Sequence, residues 1–188
     1  MASIWELTKK NRNKFLMHHQ EQLLRNLKLA ENYFKEENYK NVIDNFKDLI
    51  NEKRKRNDLK ELYLSRKACY LFYIALAYEG LKDFTKVIKY CKKVIKLNQK
   101  HIDAWVTMGW AHFDMKNYRK AIKCFEKTVT IDPHYLPAWR GLENAYNLIG
   151  DLEKSKSCME RYENNSKFYY DDITIFLSTT FNFIWRWF

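Results

Sequence analysis

The sequence predicts an all-α protein in which similar helical hairpins stack in one array. Three sets of residues recur every 34 positions: Leu71, Trp105 and Trp139; Phe84, Tyr118 and Leu152; Tyr78, His112 and Tyr146. Hydrophobic residues make up 46% of the chain, while four glycines and two prolines leave little room for sheet turns. One helical hairpin cannot bury its own apolar face, so similar units are expected to stack and cover one another.

The clearest unit runs from Asp103 to Tyr135. Apolar and small side chains recur at helical spacing on both sides of a turn at Lys116 and Asn117, and Pro133 ends the second helix. We expect one domain at residues 23–164, with repeats at 23–56, 59–98, 102–135 and 136–164. The fourth repeat loses the pattern in its second helix, as terminal repeats often do.

The second repeat is predicted to have a lengthened first helix. Tyr39 and Phe84 are 45 residues apart, and the extra residues surround the charged run from Lys53 to Asp58. Asp58 followed by Glu61 is typical of a capping box. We therefore expect a helix that begins after Asp58 and continues to about Gly80.

Both ends of the chain differ from the repeats. Residues 1–22 are basic, and they are expected to form either a capping helix or an organelle-targeting arm. Residues 165–188 form an apolar, aromatic tail whose last 16 residues, as a helix of ~24 Å, are too short to cross a ~30 Å bilayer core. The tail is expected either to cap the fourth repeat or, as its all-round apolarity favours, to contact a membrane or a neighbouring subunit. The aromatic residues predicted to make this contact are Phe176, Phe181, Phe183, Trp185 and Trp187.

The order of Trp105, Gly109, Ala121, Phe125 and Pro133 resembles the tetratricopeptide repeat (TPR). The resemblance implies a right-handed solenoid of helical hairpins with capping segments at its ends. It also implies a function in binding other proteins. With its lengthened second repeat, the stretch from residue 23 to residue 135 is most similar to the TPR domains of large immunophilins and their relatives.

Many TPR domains of that group grip the C-terminal carboxylates of Hsp90 or Hsp70 with five polar side chains. The resemblance places those five positions on Leu27, Glu31, Tyr73, Asp103 and Thr107. A carboxylate ligand requires cationic and amide donors, and the acid at Asp103 would repel it. Binding of these chaperone termini through such a clamp is therefore not expected.

In this family the concave side, lined by first helices, is the usual ligand surface. The positions of this concave groove are mainly apolar, with polar residues at the far end: Leu27, Phe34, Phe72, Leu76, Val106, Trp110, Phe113, Arg140 and Asn144. Some of these residues would serve only packing between repeats. A contiguous apolar groove indicates an interface, and an apolar helix or extended segment is the expected guest.

The net charge of +11 is unevenly distributed. Lysines align one repeat apart on the second helices of the middle repeats and form a basic face: Lys86, Lys89, Lys93, Lys120, Lys123 and Lys127. A solvated surface is the ordinary interpretation of such lysines. The alternative is attraction to anionic lipid or to nucleic-acid phosphates, and without a base-reading motif nucleic acid is the less favoured partner.

No pattern typical of catalysis is found in the sequence, so an enzyme, a metal site and a cofactor are not expected. The glycines never cluster into a phosphate-binding loop, and the histidines lack metal-ligand spacing. Cys69, Cys91, Cys124 and Cys158 form no Cys-x-x-Cys pair and are predicted to be reduced core thiols. They favour an intracellular protein over a secreted one.

Together these patterns predict a non-enzymatic protein-protein interaction scaffold or accessory subunit of a larger, membrane-bound assembly. The mitochondrion is the first candidate compartment. Two alternatives stay open: an RNA-binding or ribosome-associated adaptor that uses the basic face, and a chaperone-type adaptor with a ligand other than a C-terminal carboxylate.

Overall fold

The computed structural model describes residues 4–51 and 60–167 of the 188-residue chain. These residues form eight helices and no strand. The helices are α1 (Ile4–Lys35), α2 (Tyr39–Asn51), α3 (Lys60–Gly80), α4 (Phe84–Leu97), α5 (Ile102–Asp114), α6 (Tyr118–Ile131), α7 (Leu136–Leu148) and α8 (residues 152–167). Successive helices from α1 to α7 pack against each other, so the predicted all-α array of helical hairpins is confirmed.

The lengthened first helix of the second repeat is also confirmed, because α3 has 21 residues whereas α5 has 13. Asp58, the predicted cap of this helix, lies outside the described residues. Helix α1 continues through residue 22 without a break. The predicted arm of residues 1–22 is therefore no separate helix, because most of it extends the first helix of the first repeat.

The same turn closes each of the four hairpins. Its backbone φ is positive at Glu37, Lys82, Lys116 and Gly150 (53°, 56°, 60° and 82°). The amide of the next residue donates to the carbonyl five residues earlier, as from Asn117 to His112 at 2.8 Å. This is the hydrogen bond of a Schellman motif, which satisfies carbonyl groups at the end of a helix. The 34-residue register of the last three repeats is therefore present in the backbone itself.

Trp105 and Trp139 are equivalent in the structure. The indole Nε1 of Trp105 donates to the carbonyl oxygen of Gln99 at 2.9 Å, and that of Trp139 donates to the carbonyl oxygen of Pro133 at 2.7 Å. Both acceptors lie six residues before the indole. Each tryptophan thereby holds the turn that joins its own repeat to the preceding one.

The first helices of the repeats face one another along the array. Helix α3 contacts α5 and α5 contacts α7, while the second helices α4 and α6 make no contact with each other in the described part of the chain. The first helices thus line the inner, concave side, and the second helices form the outer side. Between the two layers lies a core whose largest fully buried side chains include Phe46, Ile74, Val87, Val94 and Phe125.

Phe125 of α6 lies between two glycines on neighbouring first helices. A Cβ atom built on Gly109 of α5 would lie 2.5 Å from Cε1 of Phe125, and one built on Gly141 of α7 would lie 2.6 Å from Cζ. These distances are shorter than carbon atoms tolerate. The ring therefore requires glycine on both sides.

The fourth repeat closes as a hairpin in spite of its weak pattern. Ser155 of α8 is buried, and its hydroxyl donates to the carbonyl oxygen of Glu143 at 3.2 Å. Cys158 joins the same core cluster as Phe125. Large apolar side chains remain exposed on this last hairpin, namely Leu148, Ile149, Leu152 and Met159. All five aromatic residues predicted to make the tail contact lie outside the described residues.

The four cysteines are free, and three of them are buried. Burial raises the pKa of Cys91 to about 12 and that of Cys124 to about 11. These thiols stay protonated and unreactive, as predicted for core cysteines. None of the described helices combines the length and the apolarity that a membrane span requires.

Candidate binding groove and basic face

A cleft of about 570 Å³ lies where the lengthened part of α3 passes the start of α5. Leu64, Phe72 and Leu76 contribute its apolar side, and His101 and Asp103 contribute its polar side. Leu64 belongs to the turns that α3 has in excess of the other first helices. The extra length of α3 therefore contributes Leu64 to the cleft, whereas the other α3 residues that line it lie in the part of the helix that matches α5. The volume of the cleft lies within the range of pockets that bind ligands.

The polar side of the cleft is held in place by the start of α5. The imidazole of His101 packs against the ring of Phe72, with centroids 4.9 Å apart. Its Nδ1 accepts a hydrogen bond from the amide of Ala104 at 3.2 Å and so caps the helix. Because Nδ1 is an acceptor, the neutral ring carries its hydrogen on Nε2.

Asp103 is an exposed carboxylate at the edge of the cleft. Its Oδ1 accepts a hydrogen bond from the Tyr135 hydroxyl at 3.1 Å. Burial, together with the charge of Asp103, raises the pKa of Tyr135 to about 12, so this hydroxyl remains a donor. The cleft therefore carries an acid where the clamp of related domains requires a cation.

The other four clamp positions supply no cation either. Thr107 is buried in the core, Leu27 and Tyr73 are half-buried, and Glu31 is exposed. A ligand that ends in carboxylates would meet two acids here and no Lys or Arg at these positions.

Eight of the nine residues predicted for the concave groove fall into three groups in the structure. Phe72 and Leu76 line the cleft. Trp110 and Phe113 pack edge to face with centroids 5.4 Å apart, and Trp110 also contacts the core ring of Phe125 at 5.1 Å. These two half-buried aromatic residues therefore pack within the array and also expose part of their side chains on its surface.

The third group lies away from the cleft. Leu27 and Phe34 are half-buried on α1, while Arg140 is exposed and Asn144 half-buried on α7. None of these four is among the residues that line the cleft. They stay candidates for a more extended contact along the concave groove.

Val106 does not contribute to the groove surface as predicted. Its side chain is only 7% exposed and belongs to the core cluster that contains Phe125. Helical spacing places Val106 near the inner face of α5, but α6 and α7 supply neighbours that cover it. Val106 is therefore a packing residue.

Sequence reasoning missed two acids on the concave side, Glu79 and Asp114. Glu79 follows Phe72 and Leu76 by seven and three residues, so helical periodicity places it on the same face of α3. Burial, and then the nearby charge of Asp114, raises the pKa of Glu79. The spacing from Phe72 to Glu79 is the signal that would have found it.

The six lysines of the basic face are all exposed. Lys86 is the most constrained, because its Nζ lies 2.7 Å from Oδ2 of Asp83 and 4.9 Å from the ring centroid of Tyr78. Lys93 lies 4.7 Å from the ring centroid of Tyr90. The described residues provide no ion pair for the other four lysines of the basic face, namely Lys89, Lys120, Lys123 and Lys127.

Two segments of the chain match a known family of helical repeats. The sequences of residues 70–101 and 102–135 each match the family described as Tetratricopeptide repeat. The chain carries tetratricopeptide repeats. They cover α3 from residue 70 onward and the whole of α4, α5 and α6, which form the middle of the array.

Solved structures similar to this TPR array share its fold at low sequence identity. A crystal structure of MamA is 18% identical, with 91% of this chain and 99% of that chain covered and a TM-score of 0.59. An RS-1 MamA double mutant is 20% identical, with 76% and 74% covered and a TM-score of 0.62. The C-terminal TPR-containing domain of an FK506-binding protein from Plasmodium falciparum is 19% identical, with 71% and 92% covered and a TM-score of 0.55. No curated protein matches the chain.

The third TPR departs from its neighbours at His112. Tyr146 holds the equivalent place in the fourth repeat, and its hydroxyl donates to Oε1 of Glu126 at 2.9 Å. One repeat before Glu126 stands Lys92, so His112 faces a cation instead of an acceptor. Its Nδ1 is buried, and no residue of the described part of the chain gives it a hydrogen bond. Burial, with Lys120 and Lys92, lowers the pKa of His112, and the half-buried ring is neutral at pH 7.

Replacing Lys92 with glutamate should give His112 the acceptor that Tyr146 already has. In the native chain the free energy of unfolding should fall as the pH falls below about 6.5, because the unfolded chain then binds a proton that the folded chain accepts only at lower pH. In Lys92→Glu the carboxylate favours the protonated ring, so this loss should shrink or disappear. Urea unfolding at pH 7.5 and pH 5.5 measures the difference.

The exposed Lys89 provides a control, since Lys89→Glu makes the same charge change on the same helix. If Lys89→Glu and Lys92→Glu change the pH dependence equally, the effect is one of net charge and the assignment to His112 is wrong.

Proposed function

We propose that this TPR protein is a non-enzymatic scaffold or accessory subunit that holds an apolar segment of another protein at the cleft. The observation that carries this proposal is the cleft itself, whose apolar wall includes residues of the lengthened α3. Phe72 and Leu76 are only half-buried there, although Phe72 also packs against the core. Exposed apolar surface of this kind is typical of interfaces, and repeat arrays bind ligands along their concave side.

The basic face is the second contact of the proposed scaffold. Its lysines lie on the outer helices, on the opposite layer of the array from the cleft. An acidic partner subunit or an anionic membrane would attract these lysines electrostatically. Membership of a membrane-bound assembly, with the mitochondrion as the first compartment to test, belongs to this proposal.

Photo-crosslinking from the cleft tests the proposed function. The photoreactive residue p-benzoylphenylalanine, which is aromatic and apolar, replaces Phe72 in one variant and Lys89 of the basic face in another. Illumination in the source cell should join position 72 to an apolar segment of a partner chain. Adding Leu76→Asp should reduce that product, because a charge in the cleft opposes apolar docking.

Helicity measured by circular dichroism controls for unfolding of the Leu76→Asp variant. If positions 72 and 89 capture the same segment equally well, or if Leu76→Asp leaves the product unchanged, the cleft is not the binding surface.

A further inference from the structure

In the third repeat the charges differ between the inner and the outer helix, and the outer helix of the second repeat is also basic. The outer helix α4 carries five lysines and no acid, and the outer helix α6 carries four basic residues and one acid. The inner helix α5 carries two aspartates and neither Lys nor Arg. Although the net charge of the chain is +11, the inner helix of its third repeat is therefore acidic, whereas the inner helix α3 of the second repeat carries three basic and two acidic residues.

Three carboxylates share the surface that bears the cleft. Asp103 lies in the cleft, and Asp114 follows it by 11 residues, about three helical turns, on the same face of α5. Glu79 lies on the face of α3 that carries Phe72 and Leu76. The charges of Glu79 and Asp114 act on each other, so α3 and α5 bring these two acids close together.

The described residues offer these acids little compensation. Asp103 accepts a hydrogen bond from the neutral hydroxyl of Tyr135. None of the three acids forms an ion pair in the described part of the chain. The described residues that line the cleft include no Lys or Arg, and besides Asp103 their titratable side chains are Cys69, Tyr73 and His101. The exposed Arg140 lies on α7, which contacts α5. Like charges held together are unfavourable until a cation arrives, so this surface favours a cationic ligand over an anionic one.

We propose that the cleft and the adjoining concave groove select a segment of a partner protein that carries Lys or Arg between apolar residues. This inference rests on the proposed binding function of the cleft and adds the sign of the ligand's charge. Asp103 and Asp114 are separated by ~16 Å along α5. Two basic residues about 11 positions apart in a helix, or about five apart in an extended strand, would match that separation.

Fluorescence anisotropy with two labelled peptides tests the inference. Both are 16-residue amphipathic helices of leucine and alanine, capped at both ends, with lysine at positions 3 and 14 in one and glutamate at the same positions in the other. We expect the lysine peptide to bind about tenfold more tightly, since two partly exposed charge contacts contribute ~1.4 kcal/mol together. The preference should weaken as salt is added.

Matched variants locate the effect. Asp103→Asn with Asp114→Asn should reduce the preference to nearly none. The control, Asp44→Asn with Asp48→Asn, makes the same net change at two exposed acids of α2 and should leave the preference intact.

Three outcomes would overturn the inference. Equal or tighter binding of the glutamate peptide refutes the selection for basic segments and leaves the apolar docking function standing. A preference that survives in Asp103→Asn with Asp114→Asn shows that it arises elsewhere on the protein. Failure of both peptides to bind, with the fold intact by circular dichroism, removes the docking function and the inference together.

Discussion

Replacing Phe125 with alanine should lower the free energy of unfolding by about 3–5 kcal/mol, the range for a buried phenylalanine. The ring is 0% exposed and contacts Trp110 edge to face at 5.1 Å. Gly109 and Gly141 flank it and have no side chains that could move into the cavity. The loss should therefore lie in the upper part of this range, because the site cannot collapse.

Urea unfolding followed by circular dichroism measures this loss. Leu152→Ala is the control, because Leu152 is 66% exposed and its truncation should change the free energy of unfolding by no more than ~0.5 kcal/mol. A loss below ~1.5 kcal/mol for Phe125→Ala would contradict the packing of this ring between the two glycines.

Replacing Gly141 with alanine should lower the free energy of unfolding, by up to about 2 kcal/mol. Within a helix, alanine is more favourable than glycine by ~1 kcal/mol, so a stabilising change would be expected from propensity alone. The new Cβ would lie 2.6 Å from Cζ of Phe125, and the opposite side of the ring is closed by Gly109. Overpacking costs ~1–3 kcal/mol, and here we expect it to exceed the gain in propensity.

Gly141→Ala should also be measured in a protein that carries Phe125→Leu. That variant lacks the ring that the new methyl group would contact. In that background Gly141→Ala should cost less, or should stabilise the protein by its helix propensity. The difference between the two backgrounds measures the coupling of Gly141 to Phe125. Equal costs in both would show that the ring is not what excludes a side chain at Gly141.

Much of the array follows from the sequence alone, because helical periodicity and the repeat register are local properties. The spacing of Trp105 and Trp139 predicted their equivalence, and both indoles do hold the turn before their own repeat. The distance from Tyr39 to Phe84 predicted the lengthened α3. The prediction that no carboxylate clamp forms also rests only on the identity of the residues, since an acid at Asp103 repels an anionic ligand.

What the tertiary structure decided is which neighbour covers each face. Periodicity placed Val106 and Phe72 alike on the inner side, yet α6 and α7 cover Val106 whereas Phe72 lines the cleft. The proximity of Glu79 to Asp114 and that of His112 to Lys92 likewise depend on how separate helices pack. A helical pattern defines which side of a helix is apolar, but burial, pKa and the sign of a binding surface depend on contacts between residues far apart in the chain.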